Sequence, residues 1–154
     1  MIDKRDKTHE LLRFLNTFDL EVSSFYRIYA RSQGISETVL WVYIELLEYE
    51  DGLMQKQMAE MWGMPIQTIN TCIQNLAKQG LVTCTLAPNS KKNKIVALTE
   101  EGRKRAEKAI VPLRRLERQT LEAFPLERLE TVTNLMKDYL RVFKSGMEGL
   151  LEQA

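Results

Sequence analysis

The feature that most constrains the fold is the segment between Gly63 and Gly80, which has the pattern of one short amphipathic helix between two glycine stops. Pro65 fits the first turn of this helix, because a proline there lacks only an N–H that the helix would leave unpaired. Apolar residues recur at helical spacing and predict the buried side: Ile69, Cys72, Ile73 and Leu76. A helix this short depends on packing, so the segments around it decide the fold.

Three helices and a hairpin are predicted around this segment. Apolar residues at helical spacing run through residues 8–31 and resume after Ser36, the expected N-cap of a second helix, and a short third helix ends at Gly63. After Gly80, "LVTCTL" and "KIVALT" are strand-like runs joined by the turn-like "APNSKKN". This order is that of a winged helix-turn-helix, which places the second helix of its pair in the DNA major groove.

Long helices are predicted at both ends of the chain. Thr99 is the expected cap of a long helix that contains Pro112, where we expect a kink, and a last helix begins at Pro125. The predicted fold class is therefore mainly α with a small two- or three-stranded β-wing, a winged helix-turn-helix with N- and C-terminal dimerisation helices.

The end helices indicate dimerisation. Residues 8–34 and 103–152 present more apolar side chains than the winged unit of residues 36–102 could cover, and a large uncovered apolar patch usually marks an interface. An intramolecular helical bundle is the alternative. On either interpretation, the 154 residues suit a single domain with helical arms.

The side of the central helix opposite its apolar stripe carries amides and hydroxyls, where surface helices usually carry Glu and Lys. Gln and Asn offer a donor and an acceptor together, which matches the N6/N7 edge of adenine, and Thr offers a methyl group to thymine. A merely solvated polar face is the alternative. The predicted base-reading residues are Pro65, Ile66, Gln67, Thr68, Asn70, Thr71 and Gln74.

Charge must be segregated if this surface binds DNA, because the whole chain sums to only +1. The lysines of the hairpin loop predict a basic wing that contacts phosphates. The predicted backbone and wing contacts are Gln55, Lys56, Asn75, Lys78, Ser90, Lys91, Lys92 and Lys94. The start of the long helix after Thr99 adds further basic residues: Arg103, Lys104, Arg105 and Lys108.

The sequence resembles the MarR family of bacterial transcriptional regulators. The resemblance covers nearly the whole chain and rests on "ISETVLWVYIELLE", "GLMQKQMAEMWGMPIQTINTCIQNLAKQGLV" and "KIVALTEEGRK". It implies a homodimer whose end helices interlock and whose two winged helices bind a palindromic operator in double-stranded DNA. Such proteins are usually repressors that are released by a small molecule or by thiol oxidation. The wing departs from the family pattern, because lysines stand in the places of its paired arginines and cannot form the same fork of hydrogen bonds.

The resemblance also implies an effector pocket between the dimer helices and the winged unit. Its candidate lining residues, for which ordinary core or interface aromatics are the alternative, are Tyr26, Tyr29, Arg31, Trp41 and Tyr43. The peroxide-sensing branch of the family uses a cysteine in the first helix, and here no cysteine precedes Cys72. We expect both Cys72 and Cys84 to be buried and structural rather than redox sensors.

Several function classes are excluded or disfavoured by the sequence. We expect no enzyme, because there is no glycine-rich phosphate loop, no nucleophile elbow and only one histidine, His9. We also expect no cofactor and no metal site, since soft ligands are too few. No apolar run approaches the length of a membrane span, and we expect a cytoplasmic protein with reduced thiols. The alternative function is a winged-helix dimer that acts as a protein-interaction module without specific DNA binding.

Overall fold

The computed structural model describes residues 4–87 and 94–152, which form helices and one small sheet. Their contacts divide the chain into two units, Met1–Val111 and Pro112–Ala154. In chain order the elements are α1 (Lys4–Ser32), α2 (Glu37–Glu48), β1 (Leu53–Met54), α3 (Gln55–Met61), α4 (Ile66–Lys78), β2 (Val82–Leu86), β3 (Lys94–Leu98), α5 (Glu100–Glu122) and α6 (Leu126–Leu151). The predicted fold class is confirmed.

The core of the first unit lies where α2, α3, α4 and the sheet meet. Its fully buried side chains come from each of these elements and from α5, and include Leu40, Leu46, Met58, Ile69, Ile73, Val96 and Ile110. The predicted apolar stripe of α4 is confirmed, because Ile69, Cys72, Ile73 and Leu76 are all buried. Each fully buried aliphatic side chain of this kind stabilises the fold by about 1.5–3 kcal/mol.

The sheet is antiparallel and has β3 in its centre, with β1 on one side and β2 on the other. Leu53 and Cys84 both stand opposite Val96, which is fully buried. The sequence predicted two or three strands, and the structure has three. β2 is an edge strand, and only Val82 of its residues is buried.

The end of α4 is fixed by a glycine turn. Gly80 has a φ of +70°, a left-handed conformation that glycine adopts without a steric cost. The N–H of Leu81 then donates to the carbonyl of Leu76, and the N–H of Gly80 to that of Ala77. This is the Schellman arrangement, and it turns the chain sharply from α4 into β2.

Thr99 ties the end of α4 to the beginning of α5. Its Oγ1 accepts a hydrogen bond from the N–H of Gly102 at 3.0 Å, as the predicted helix cap should. The same hydroxyl donates to the carbonyl of Gly80 at 2.7 Å. Gly102 lies against the carbonyl of Leu81 so closely that a Cβ there would fall on that oxygen. This junction therefore explains the threonine and the glycine of the "LTEEG" sequence.

The second unit consists of the last part of α5 and of α6. The helix α5 runs through Pro112, and the kink predicted there stays a prediction. No residue of α6 is buried, although Leu135, Tyr139 and Phe143 follow one another at helical spacing. Tyr139 and Phe143 stack with their ring centroids 5.9 Å apart. The assignment of the end helices to dimerisation also stays a prediction.

Candidate nucleic-acid interface

The helix α4 presents its polar side to solvent. Its described residues outside the apolar stripe are all exposed, and they include every predicted base-reading residue from Ile66 to Gln74, with Pro65 exposed at the N-cap. Ile66 is 41% exposed, so an apolar side chain stands at the start of this face. The only charged residue of α4 is Lys78 in its last turn. Between Gln67 and Gln74 the exposed face is thus polar and uncharged, and it holds none of the acids that would repel phosphate.

Two side chains of the polar face of α4 form hydrogen bonds within the helix. Gln74 Nε2 donates to Asn70 Oδ1 at 3.4 Å, and Thr71 Oγ1 donates to the backbone carbonyl of Gln67 at 2.9 Å. A bond of 3.4 Å lies at the long end of the useful range, so exchange for a bond to a base edge costs little. Gln74 and Asn70 together offer an amide donor and an amide acceptor side by side.

A groove runs between α3, α4 and the hairpin, next to this face. Asn70 and Gln74 line it on α4, and Lys56, Lys78 and Lys94 bring positive charge from α3, α4 and β3. All three lysines are exposed. Glu60 also lines the groove, but it pairs with Lys56 at 3.6 Å one helical turn away. The structure therefore brings amides and lysines from separate segments of the chain to one surface.

The beginning of α3 lies on the same groove. Gln55 is half-buried there, and Met54 is the N-cap without a side-chain cap of its own. The Oε1 of Gln57 instead accepts the N–H of Met54 at 2.9 Å, which satisfies one unpaired donor of the helix start. Asn75 is exposed on α4 and lines a second, smaller hollow with Gln67 and Thr71.

The tip of the predicted wing lies outside the described residues. Ser90, Lys91 and Lys92 fall there, so their predicted phosphate contacts stay predictions. Lys94 begins β3 and is exposed.

The basic start of α5 is largely neutralised by acids. Arg103 pairs with Glu50 at 3.4 Å and with Glu107 at 3.9 Å. The next two basic residues pair one turn away along the helix, Lys104 with Glu100 and Arg105 with Glu101. These exposed pairs stabilise the fold little, but they lower the positive charge that α5 offers to DNA.

Two of the candidate effector-pocket aromatics form a stack rather than a lining. Tyr26 and Trp41 have ring centroids 4.8 Å apart, and Trp41 stacks on Trp62 at 4.2 Å. Trp62 Nε1–H donates to Oε1 of the buried Glu45 at 2.9 Å. Through these contacts of Trp62 with Trp41 and Glu45, the turn between α3 and α4 packs against α2. Trp62 was not among the predicted residues, because no sequence spacing links it to Trp41.

The other candidates lie apart from this stack. The hydroxyl of Tyr29 donates to the backbone carbonyl of Ala109 at 2.6 Å, and Arg31 is exposed at the end of α1. Tyr43 is only 2% exposed and lines a cleft with Arg105. The five side chains therefore do not converge on one space, and their role in effector binding stays a prediction.

The two cysteines differ in their surroundings. Cys72 is buried, as predicted, and burial raises the pKa of its thiol to about 11. The prediction that Cys84 is buried is wrong, because Cys84 is exposed and lines the groove beside α4. The physical reason is that β2 is an edge strand whose residues after Val82 have no covering layer. A thiol with a raised pKa is a poor redox sensor, so Cys72 has the properties of a structural residue.

Residues 4–87 and 94–152 hold no group of three or more His, Cys, Asp or Glu side chains placed to bind a metal ion. Within the same ranges, no helix combines the length and the apolar character that membrane crossing requires.

An α3–turn–α4 pair with a three-stranded wing defines the class of this protein as a winged helix-turn-helix. No protein-family model and no curated protein matches the chain. Solved structures do match. A MarR-family transcriptional regulator from Rhodococcus sp. RHA1 is 25% identical over 93% of this chain and 96% of that one, with a TM-score of 0.60.

Two further structures are similar to this chain. CouR from Rhodococcus jostii RHA1, bound to p-coumaroyl-CoA, is 25% identical over 84% of this chain and 88% of that one, with a TM-score of 0.62. A MarR-family regulator from Listeria monocytogenes, in complex with a 26mer DNA, is 20% identical over 84% and 86%, with a TM-score of 0.66. The structural comparisons thus classify the chain with the MarR-family winged helices, which confirms the resemblance seen in the sequence.

Proposed function

We propose that this chain is a sequence-specific DNA-binding transcriptional regulator that acts in the cytoplasm. The observation that carries the proposal is the exposed, uncharged amide face of α4 beside a groove with Lys56, Lys78 and Lys94. Bases are read by paired donors and acceptors, whereas phosphates are bound by positive charge. Amides alone are also found on solvated surfaces. Amides flanked by lysines from three elements can contact both the bases and the phosphates of double-stranded DNA.

Base contacts and phosphate contacts have different roles in this proposal. Asn70, Gln74 and Gln67 are proposed to meet base edges, where a good bidentate pair discriminates by about 1–3 kcal/mol. The lysines are proposed to meet phosphates and to supply affinity without sequence preference. The solved relative from Listeria monocytogenes was crystallised with DNA, which supports the same use of this fold.

A homodimer on a palindromic operator is the second part of the proposal. The first half of α1 exposes Leu11, Phe14, Leu15 and Phe18, and α6 by itself exposes an apolar series that includes Leu135, Tyr139, Leu140, Phe143 and Met147. Exposed apolar series of this size on a protein surface indicate an interface. Two copies related by a twofold axis would present two α4 helices to two half-sites about one helical turn apart.

The third part of the proposal is that the protein represses transcription and that a small-molecule effector releases it from DNA. The proposal is supported by CouR, one of the similar structures, which is bound to the small molecule p-coumaroyl-CoA. The raised pKa of Cys72 and its burial argue against thiol oxidation at that residue as the release signal.

The test uses duplexes selected from a random library by the purified protein, measured by fluorescence anisotropy against shuffled duplexes at several salt concentrations. We expect the selected DNA to bind at least tenfold more tightly than the shuffled DNA, with weaker binding as salt rises. The double variant Gln67→Ala/Asn70→Ala should lose the preference and keep the dimer. Gln119→Ala, an exposed glutamine on α5, is the matched control and should change nothing.

The exposed Ile66 favours one alternative function, a winged-helix dimer that binds another protein. Equal binding of selected and shuffled DNA, unchanged by the double variant, would favour that alternative and reject base reading. Loss of a protein partner on Ile66→Ser with DNA preference intact would assign Ile66 to a separate contact.

A further inference from the structure

Ile66 is the one large apolar side chain that α4 exposes. It is the first residue of the helix, it is 41% exposed, and it follows Pro65, which provides no side-chain cap. A single exposed isoleucine is ordinary on a protein surface, so its exposure alone assigns it no role. Its position matters more, because the N-terminal residues of the second helix in a helix-turn-helix are those that contact base edges.

The groove beside the amide face relates Ile66 to the amides. Ile66, Asn70 and Gln74 all line it, and their spacing of four residues places them one behind another along one side of α4. A helix rises about 1.5 Å per residue, so Ile66 and Asn70 are about 6 Å apart along the helix axis. Base pairs in a duplex are about 3.4 Å apart. When Asn70 meets one base pair, Ile66 therefore lies about two base pairs away.

The chemistry of an isoleucine restricts what it reads in DNA. Its side chain has neither a hydrogen-bond donor nor an acceptor, and the C5-methyl group of thymine is the apolar group among the base edges of the major groove. An isoleucine in a helix also has one strongly preferred χ1 rotamer, so little side-chain freedom is lost when it is covered. Ile66 thus presents a preformed apolar surface that a methyl group can cover.

The threonines of α4 carry methyl groups of the kind that contacts thymine as well. Thr68 and Thr71, however, line the second, smaller hollow, and no threonine is among the described residues that line the groove beside Asn70. The groove that holds amides and lysines therefore has Ile66, rather than a threonine, at the start of α4.

We propose that Ile66 determines specificity by reading the C5-methyl group of a thymine about two base pairs from the pair that Asn70 contacts. This inference rests on the proposed DNA-binding function and specifies its ligand, a duplex with a thymine at one fixed position of each half-site. The affinity for DNA then depends on a methyl group that takes no part in base pairing. Uracil in place of this thymine weakens binding, and 5-methylcytosine binds better there than cytosine does.

Binding is measured by fluorescence anisotropy at one salt concentration on the selected duplex, with each thymine replaced in turn by uracil. The replacement removes one methyl group and leaves the pairing unchanged. We expect uracil at one position, repeated symmetrically in both half-sites, to weaken binding about fourfold for each methyl group removed. At the same position, 5-methylation of a cytosine should strengthen binding about fourfold.

Three variants assign the effect to one side chain. Ile66→Ala should bind the thymine and uracil duplexes equally, because the shortened side chain no longer covers the methyl group. Ile28→Ala is the matched control, since Ile28 is an exposed isoleucine of α1 that does not line the groove, and it should keep the fourfold ratio. Thr71→Ser removes only the methyl group of Thr71 and should also keep it. The ratio compares two affinities of one folded variant, so a loss of stability by itself leaves it unchanged.

Several results would overturn the role of Ile66. They are a wild type that binds every uracil duplex as tightly as the parent duplex, equal binding of cytosine and 5-methylcytosine at the assigned position, and an Ile66→Ala variant that keeps the wild-type ratio. Loss of the ratio in Thr71→Ser but not in Ile66→Ala would overturn it too. In each of these cases the selected duplex is still preferred over the shuffled one, so base reading stands. Equal binding of selected and shuffled duplexes would instead reject the proposed function, and this inference with it.

Discussion

Removing the Thr99 hydroxyl should destabilise the protein, because this one group joins α4 to α5. In Thr99→Ala, α5 loses the cap bond to the N–H of Gly102 and the carbonyl of Gly80 loses its donor. Loss of a threonine cap costs about 1 kcal/mol, and the second bond, which lies at an exposed position where water replaces it, adds about 0.5 kcal/mol. The expected loss in free energy of unfolding is therefore about 1.5 kcal/mol.

For a chain of 154 residues this loss corresponds to a decrease in Tm of about 5 °C. The assay is urea and thermal unfolding followed by circular dichroism, at one fixed protein concentration because association also contributes to stability. Thr99→Ser is the control, since it keeps the hydroxyl and should stay within about 0.5 kcal/mol of wild type. A serine variant as unstable as the alanine variant would assign the effect to the methyl group and refute the hydrogen-bond reasoning, as would an alanine variant as stable as wild type.

Further predictions concern the close approach at α5, the thiols and the lysines. Gly102→Ala should lower the free energy of unfolding by more than about 2 kcal/mol, because the added Cβ would fall on the backbone carbonyl of Leu81. Gly146→Ala is the control on α6, where an added Cβ meets no other atom, and it should stabilise the protein by up to about 1 kcal/mol in the same unfolding assay. Cys84 should react with a thiol reagent such as DTNB at pH 8 within minutes while Cys72, with its pKa of about 11, reacts only on unfolding; equal rates would contradict the burial difference. Lys78→Gln should reduce the log–log salt slope of DNA binding by about 2 per dimer, and an unchanged slope would remove this lysine from the phosphate contacts.

The apolar series of α6 gives a test of dimerisation that is independent of DNA. Leu140→Glu/Phe143→Glu should give a monomer in sedimentation velocity, because each buried charge would oppose the apolar contact. Lys137→Glu makes a similar charge change at a polar position of the same helix and should leave the dimer intact. A double variant that sediments as the wild type does would place the interface elsewhere.

Local patterns in the sequence were sufficient for the apolar side of α4, for the end of α4 at Gly80 and for the cap at Thr99. The stripe Ile69, Cys72, Ile73 and Leu76 follows from helical spacing, which depends only on the geometry of one helix. The cap at Thr99 depends on unpaired N–H groups at the start of a helix, and the end of α4 depends on the positive φ that Gly80 can adopt. Both are properties of a few neighbouring residues.

What could not be predicted depends on contacts between distant segments. β1 has two residues, too few for an alternating pattern, and exists because it pairs with β3. Cys84 stands in an apolar run, and only the strand order shows that β2 is at the edge. The cleft joins Tyr43 to Arg105 across more than sixty positions of the chain, and the stack of Trp41 on Trp62 is likewise a tertiary contact. No spacing rule connects such residues.

The central claim is that the amide face of α4 reads base edges. The measurement that tests it most directly is the affinity of wild type and Asn70→Ala for every single base-pair variant of the selected duplex, at one salt concentration. We expect Asn70→Ala to lose discrimination at one position, repeated symmetrically in both half-sites, by about 1–3 kcal/mol, with the other positions unchanged. A uniform loss of affinity at all positions, with the base preferences intact, would contradict the claim and leave α4 as a helix that only touches the backbone.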